Sequence, residues 1–254
     1  MSILLVPGFM ADETLWDEVL PRLERFGPVL HADLRHDTSV AAMARRALAA
    51  APSSFVLVGF SMGGYVAREI ARQAPRHGKH VEALVLIATS TRPDSAALQR
   101  RKGAIGHAAP SIAFSGLSRI AVASSLHPQR RDDEAMIERV RAMGMRLGGE
   151  VFRRQSVLER PGDIDCLGGI RCPTLVVAAA QDGLRSLEES REMQERIAGA
   201  ELAVIEDSGH MIPIEAPQRL ADLVVPWLER HAAGLGGERD SRAPDAQPGL
   251  PPAP

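Results

Sequence analysis

The sequence predicts an α/β fold built on a mostly parallel, doubly wound sheet, and three observations carry that expectation. Short apolar runs bounded by turn residues recur along the 254-residue chain. Helix-like stretches separate them. One long interval, residues 92–165, breaks the alternation with a helical insertion. Alternation of this kind calls for right-handed βαβ crossovers, with helices on both faces of the sheet.

The strand candidates are Ile3–Val6, Pro28–Ala32, Phe55–Gly59, Val81–Ala88, Thr174–Ala180 and Glu201–Glu206. Their near-continuous apolar character suits strands buried on both faces. The helix candidates are Thr14–Arg25, Val40–Ala50, Met62–Gln73, Ser186–Ile197 and Ala216–Arg230. Within the insertion, Asp132–Leu147 has an acidic start and places Met136, Ile137, Val140 and Met143 at helical spacing. The expected organisation is a core from 1–91 and 166–231, a helical cap insertion over 92–165, and a tail over 232–254. That tail is rich in glycine and then proline, with almost nothing to bury, and reads as disordered.

With 45% hydrophobic residues the chain can bury one sizeable core. Its formal net charge of -2 supplies no global field to gather nucleic acid or an anionic membrane. Lys and Arg outnumber Asp and Glu by 13 to 7 over residues 92–160, against 17 to 25 elsewhere. A basic cap over an acidic body invites an anionic substrate, although solvated helix faces account for the same arginines. The Ile3–Val6 run is too short for a signal peptide and no run reaches a bilayer span, so a cytoplasmic protein is expected. Cys166 and Cys172, too few and too isolated for a zinc site, read as free thiols. The sequence implies no cofactor and no metal, and it leaves the oligomeric state open.

The chemistry concentrates at Val58-Gly59-Phe60-Ser61-Met62-Gly63-Gly64. A G-x-S-x-G between a β-run and a helix-like run lifts the serine hydroxyl above the sheet on a strained turn, and Gly59 and Gly63 let strand and helix pass closely. A helix N-cap serine in a glycine-rich turn is the plainer reading. A dinucleotide site is excluded, because the glycines at 59, 63 and 64 do not form G-x-G-x-x-G.

A serine at its ordinary pKa needs an adjacent base. Among eight histidines, His210 lies just beyond the last strand, where a loop can reach back over the sheet edge. His107 and His127 in the insertion are candidates for substrate contact; the others read as packed or solvated. Asp182, directly after the penultimate strand, is the expected acceptor for the other imidazole nitrogen. Glu206, Asp207 and Asp94 rank below it. The order Ser61, Asp182, His210 is the one this chemistry uses in strand–turn–helix elbows. Two backbone N–H groups are the expected oxyanion donors: Met62, at the positive end of the following helix, and Phe9, in Pro7-Gly8-Phe9-Met10 after the first strand.

Together these stretches resemble the α/β-hydrolase superfamily, in particular small capped bacterial carboxylesterases, enol-lactonases and perhydrolase-like members. The resemblance rests on Leu5-Val6-Pro7-Gly8-Phe9, Ala32-Asp33-Leu34-Arg35-His36, Gly59-Phe60-Ser61-Met62-Gly63-Gly64, Cys172-Pro173-Thr174-Leu175-Val176-Val177 before Asp182, and Ser208-Gly209-His210-Met211-Ile212-Pro213-Ile214-Glu215-Ala216-Pro217. It covers about residues 2–230. Pro7 stands where many relatives carry histidine, and the first strand matches the third of the family's full sheet.

The resemblance implies a serine hydrolase working through an acyl-enzyme on a small carboxylic ester. Lactone, thioester or C–C bond cleavage and perhydrolysis are alternatives on the same machinery. An inactive, ligand-binding relative of the fold is the non-enzymatic alternative.

Overall fold

A computed structural model of the chain describes residues 1–96, 98–100, 102, 114–160 and 162–231. Its centre is a six-stranded sheet in the order β2-β1-β3-β4-β5-β6, parallel throughout. The strands are β1 (Ser2–Val6), β2 (Val29–His31), β3 (Ser54–Phe60), β4 (His80–Ile87), β5 (Thr174–Ala179) and β6 (Glu201–Ile205). Each of the six expected runs forms one strand, within a residue or two at its ends.

Successive residues of a strand feed opposite faces. Ile3, Leu5, Val56 and Val58 therefore enter one core, and Leu4, Val6, Phe55 and Leu57 the other. The second core is covered by α1 (Val40–Ala50), α2 (Met62–Gln73) and, further along the chain, α5 (Leu187–Arg196). The first is covered by α6 (Pro217–His231) and by apolar residues of two helices between β4 and β5, α3 (Arg119–Ala123) and α4 (Glu134–Ser156). No strand falls between β4 and β5 among the described residues.

Three expectations need correction. β2 and β6 are the outermost strands and are only partly buried, with His31, Glu201 and Val204 exposed. An edge strand lacks a neighbour to cover it, so the rule of burial on both faces holds for the inner four alone. The span Thr14–Arg25 is not one helix. It divides into a 3-10 turn Glu13–Trp16, a single α-turn Leu20–Leu23 and another 3-10 turn Glu24–Phe26. Pro21 has no N–H for a continuing ladder, so the α-turn restarts beside it, with Leu20 and Pro21 in its first turn.

The helix expected to end at Leu147 continues to Ser156. Gly148, at φ 79° and ψ 175°, breaks its geometry, after which helical bonding resumes. Gly148-Gly149 therefore marks a kink, and the limb beyond it brings Phe152 and Gln155 back over the sheet. The proposed tail 232–254 and His107 lie outside the described residues. Among the described residues, no helix is long and apolar enough to cross a membrane.

The strand order fixes where a site can form. The chain leaves β1 toward β2 on one side and returns to β3 on the other. The connecting segments thus diverge between the carboxyl ends of β1 and β3, which is where open α/β sheets bind ligands. Phe9 follows β1 and Ser61 follows β3.

Candidate active site

Ser61 sits between β3 and α2 with φ 52° and ψ -114°. An L residue is strained in that region, and the surrounding packing has to hold it there. Three glycines make that packing possible. A Cβ on Gly63 would fall 2.3 Å from the Val6 carbonyl oxygen, one on Gly64 2.3 Å from Thr89 Oγ1, and one on Gly59 2.6 Å from Ala67 Cβ. Helix α2 thus starts in van der Waals contact with the ends of β1 and β4. The turn is further pinned by the Ser61 N–H donating to the Ile87 carbonyl at 2.9 Å and by Thr89 Oγ1 donating to the Ser61 carbonyl at 2.7 Å.

The loops after β5 and β6 bring two more side chains to this turn. His210 Nε2 lies 2.8 Å from Ser61 Oγ, and His210 Nδ1 lies 2.8 Å from Asp182 Oδ2. An ionised carboxylate only accepts, so Nδ1 carries the proton and Nε2 is left to accept from the serine hydroxyl. The other carboxylate oxygen, Asp182 Oδ1, accepts from the Leu184 N–H at 2.7 Å and the Arg185 N–H at 2.9 Å. Both Asp182 oxygens are therefore occupied and the side chain has a single orientation; it is 2% exposed.

The histidine loop is held from two sides. Toward the β5 loop, the Gln181 N–H donates to the Ser208 carbonyl at 3.1 Å and the Ser208 N–H to Gln181 Oε1 at 3.2 Å. Toward the segment after α3, the His210 N–H donates to the Ser125 carbonyl at 2.8 Å. Glu215, fully buried as a side chain, accepts from the backbone N–H of His127 at 2.7 Å and of Met211 at 3.2 Å. The imidazole packs on Phe60, with ring centroids 5.3 Å apart.

The competing candidates lie elsewhere. Glu206 and Asp207 are exposed, while Asp94 is engaged by Lys102 and Arg160. His127 is buried, accepts from the Gln129 N–H through Nδ1 at 3.2 Å and is not part of the cavity wall, so it is a packed histidine. Both cysteines are unpaired, and burial pushes the Cys172 thiol up to about 11, which keeps it protonated and inert.

Phe9 and Met62 flank Ser61 on the wall of a cavity of about 670 Å³, within the usual range for small-molecule sites. Met62 opens α2, where an N–H has no intrahelical partner. Among the described residues neither the Met62 N–H nor the Phe9 N–H has an acceptor. Two free donors beside a hydroxyl that is hydrogen-bonded to an imidazole can stabilise an oxyanion formed on attack at a carbonyl.

Sequence reasoning missed what holds the Phe9 loop. Met10 has φ 52°, and its N–H donates at 2.8 Å to Oε1 of the buried Gln155, whose Nε2 donates in turn to the Leu34 carbonyl at 3.3 Å. Next to it, Arg146 Nε donates to Asp12 Oδ2 at 2.7 Å. Burial alone would raise the Asp12 carboxyl, but hydrogen bonds from Arg146 and Thr14 hold it below its ordinary value. Both limbs of α4 therefore grip the loop that carries Phe9. No motif announces Gln155, which lies beyond the helix expected over Asp132–Leu147 and next to the end of the observed one. Removing the grip without disturbing the cavity volume, as in Gln155→Met, is expected to lower kcat on a chromogenic ester by about tenfold to a hundredfold with little change in KM, because misplacing a group by an ångström costs up to about 10²-fold. Steady-state kinetics beside wild type measure the split.

Comparison with known proteins identifies the family and the fold. The model of the alpha/beta hydrolase family matches residues 3–223. A thermophilic esterase from Thermogutta terrifontis is 27% identical, with a TM-score of 0.77 over 91% of this chain and 90% of that one. The enol-lactonase from Burkholderia xenovorans LB400 shares the fold at 19% identity, with a TM-score of 0.75 over 90% of this chain and 91% of that one. A Caulobacter sp. (strain K31) protein named "Putative carbamate hydrolase RutD" is 40% identical over 81 residues, 32% of this chain and 30% of its own length. With the family match running from the first strand into the last helix, over a parallel sheet whose switch point carries the G-x-S-x-G turn, the chain belongs to the alpha/beta hydrolase family.

Proposed function

We propose that the protein is a cytoplasmic serine hydrolase that cleaves a small carboxylic ester through an acyl-enzyme. The observation that carries this reading is the unbroken line of hydrogen bonds Ser61 Oγ, His210, Asp182, at 2.8 Å each, on a strained elbow at the switch point of the sheet. His210 takes the Ser61 proton as Oγ bonds to the carbonyl carbon. Asp182 steadies the imidazolium, and the N–H groups of Phe9 and Met62 hold the oxyanion. Collapse of the tetrahedral intermediate expels the alcohol, which receives the proton from His210. Water, deprotonated by His210, then releases the acid and regenerates Ser61.

In this reading residues 92–165 form a cap that walls the cavity and selects the acyl and alcohol parts, while Gly59 and Gly63 serve the elbow sterically. A carbamate is the second substrate class to try, since the relative matched over 81 residues is named for it; the same attack at a carbonyl would cleave it.

A panel of chromogenic esters, lactones, thioesters and carbamates, with a perhydrolysis assay, tests the proposal. Ester turnover that disappears in Ser61→Ala is expected. Wild-type turnover in Ser61→Ala would overturn it.

A further inference from the structure

Many of the arginines of residues 92–160 are held in ion pairs on the protein surface. Arg119 pairs with Asp132 and Glu134, Arg139 with Glu18, Arg141 with Glu138, Arg146 with Asp12 and Arg153 with Glu150. These pairs do not bear on a ligand; the cations inside the cavity do. Its wall includes the cationic side chains of Lys102, Arg160 and Arg185 and no aspartate or glutamate among the described residues. Ala97, Arg101, residues 103–113 and Pro161, the residues of 92–165 outside the described set, contain no acid either.

Arg185 has its own counter-ion, Glu189, at 3.6 Å. Lys102 and Arg160 share one directly paired carboxylate. Asp94, whose side chain is 7% exposed, accepts from Arg160 Nε at 3.0 Å through Oδ1 and from Lys102 Nζ through Oδ2. Lys102 also donates to the Leu158 carbonyl. The two terminal nitrogens of Arg160 have no acceptor among the described residues, and the guanidinium is fixed over the Tyr65 ring at 5.8 Å. Two cations over one buried carboxylate, with the exposed Glu159 as the other acid acting on Lys102, leave positive charge only partly compensated in a partly desolvated wall, with a planar fork of unused donors. That combination recognises a carboxylate. Burial and the nearby Arg160 both push the Lys102 ammonium down, so a second anion would relieve a standing repulsion.

We propose that Arg160 and Lys102 form a subsite for a free carboxylate, and that the substrate is a monoester, or a lactone, of an acid that keeps one ionised carboxylate remote from the bond cleaved. This rests on the hydrolase reading above for the chemistry, but not for the binding. Ser61 attacks the ester carbonyl as before; the remote carboxylate is bound and unchanged.

Monomethyl adipate and dimethyl adipate differ in that one charge and provide the test. Hydrolysis in a pH-stat is expected to favour the monoester by about tenfold or more in kcat/KM at low salt, the preference shrinking as ionic strength rises. Arg160→Leu should bring the ratio to about one, since Asp94 then neutralises Lys102 alone. Asp94→Asn should enlarge it, since both cations are then uncompensated. Binding is read separately by calorimetry on Ser61→Ala protein, which turns nothing over. There, tighter binding of monomethyl than of dimethyl adipate supports the subsite even if no ester is hydrolysed, in which case the hydrolase reading alone fails. Equal binding of the two, or no binding of the monoester at millimolar concentration, overturns the subsite. So does a ratio that Arg160→Leu leaves unaltered.

Discussion

His210→Ala is expected to lower kcat on any ester that the protein hydrolyses by a factor on the order of 10⁴ or more, and Asp182→Asn by a comparable factor, with KM changing far less. The two losses have different causes. Without the imidazole nothing takes the Ser61 proton, and a serine hydroxyl at its ordinary pKa does not attack. With asparagine at 182 the imidazole stays. The amide oxygen, however, takes the two backbone N–H donors of Leu184 and Arg185, which turns its NH2 toward Nδ1; Nδ1 then accepts, Nε2 carries the proton and no longer accepts from Ser61. Because the proposed mechanism has the three side chains act as a unit, the double variant should lose little beyond the worse single one. Pre-steady-state and steady-state assays with a nitrophenyl ester give these factors directly; additive losses in the double variant would mean that the groups do not act together.

Arg68→Met is expected to have the largest effect on stability, a destabilisation of roughly 3–5 kcal/mol. Arg68 is fully buried on α2, the helix that begins just after Ser61. Its Nε and one terminal nitrogen reach the two Asp163 oxygens at 2.8 and 2.9 Å. That terminal nitrogen also donates to the Ser90 carbonyl at 2.7 Å, and the guanidinium lies over the Tyr65 ring at 4.8 Å. Methionine would fill much of the space but leave Asp163, 11% exposed as a side chain, to Arg72 alone at 3.1 Å, with the Ser90 carbonyl unsatisfied. Taking the carboxylate away as well, in Arg68→Met/Asp163→Leu, should recover part of the loss, since the penalty comes mainly from a largely buried carboxylate left with Arg72 as its one cation. Urea unfolding at constant m-value measures both variants.

How legible the molecule was in its sequence follows the range of the interactions. The inner strands could be read because each is a short apolar run between turn residues, and α1 and α2 because each is a helix-like stretch that follows one of the strand runs, α2 with the elbow glycines at its start. Ser61, Asp182 and His210 could be located because each stands directly after a strand, where a parallel sheet gathers its loops at one end. What escaped were features decided by partners distant in the chain. The second limb of α4 was hidden by a Gly-Gly pair that reads as a stop and acts as a kink. Gln155 matters through a bond to a residue 145 positions away, and Glu215, visible only as one letter of the histidine loop, through bonds to His127 and Met211. The excess of arginine over residues 92–160 was plain in composition, but only the three-dimensional pairing separates the surface arginines from Arg160.

The most direct test of the central claim is reaction of the folded protein with a fluorophosphonate probe, followed by peptide mass spectrometry. A hydroxyl activated by His210 should be phosphonylated at Ser61 within minutes, in equal stoichiometry with the protein, and labelling should vanish in Ser61→Ala and fall steeply in His210→Ala. Folded protein that stays unlabelled, or that is labelled at another residue while Ser61 remains free, would contradict the account.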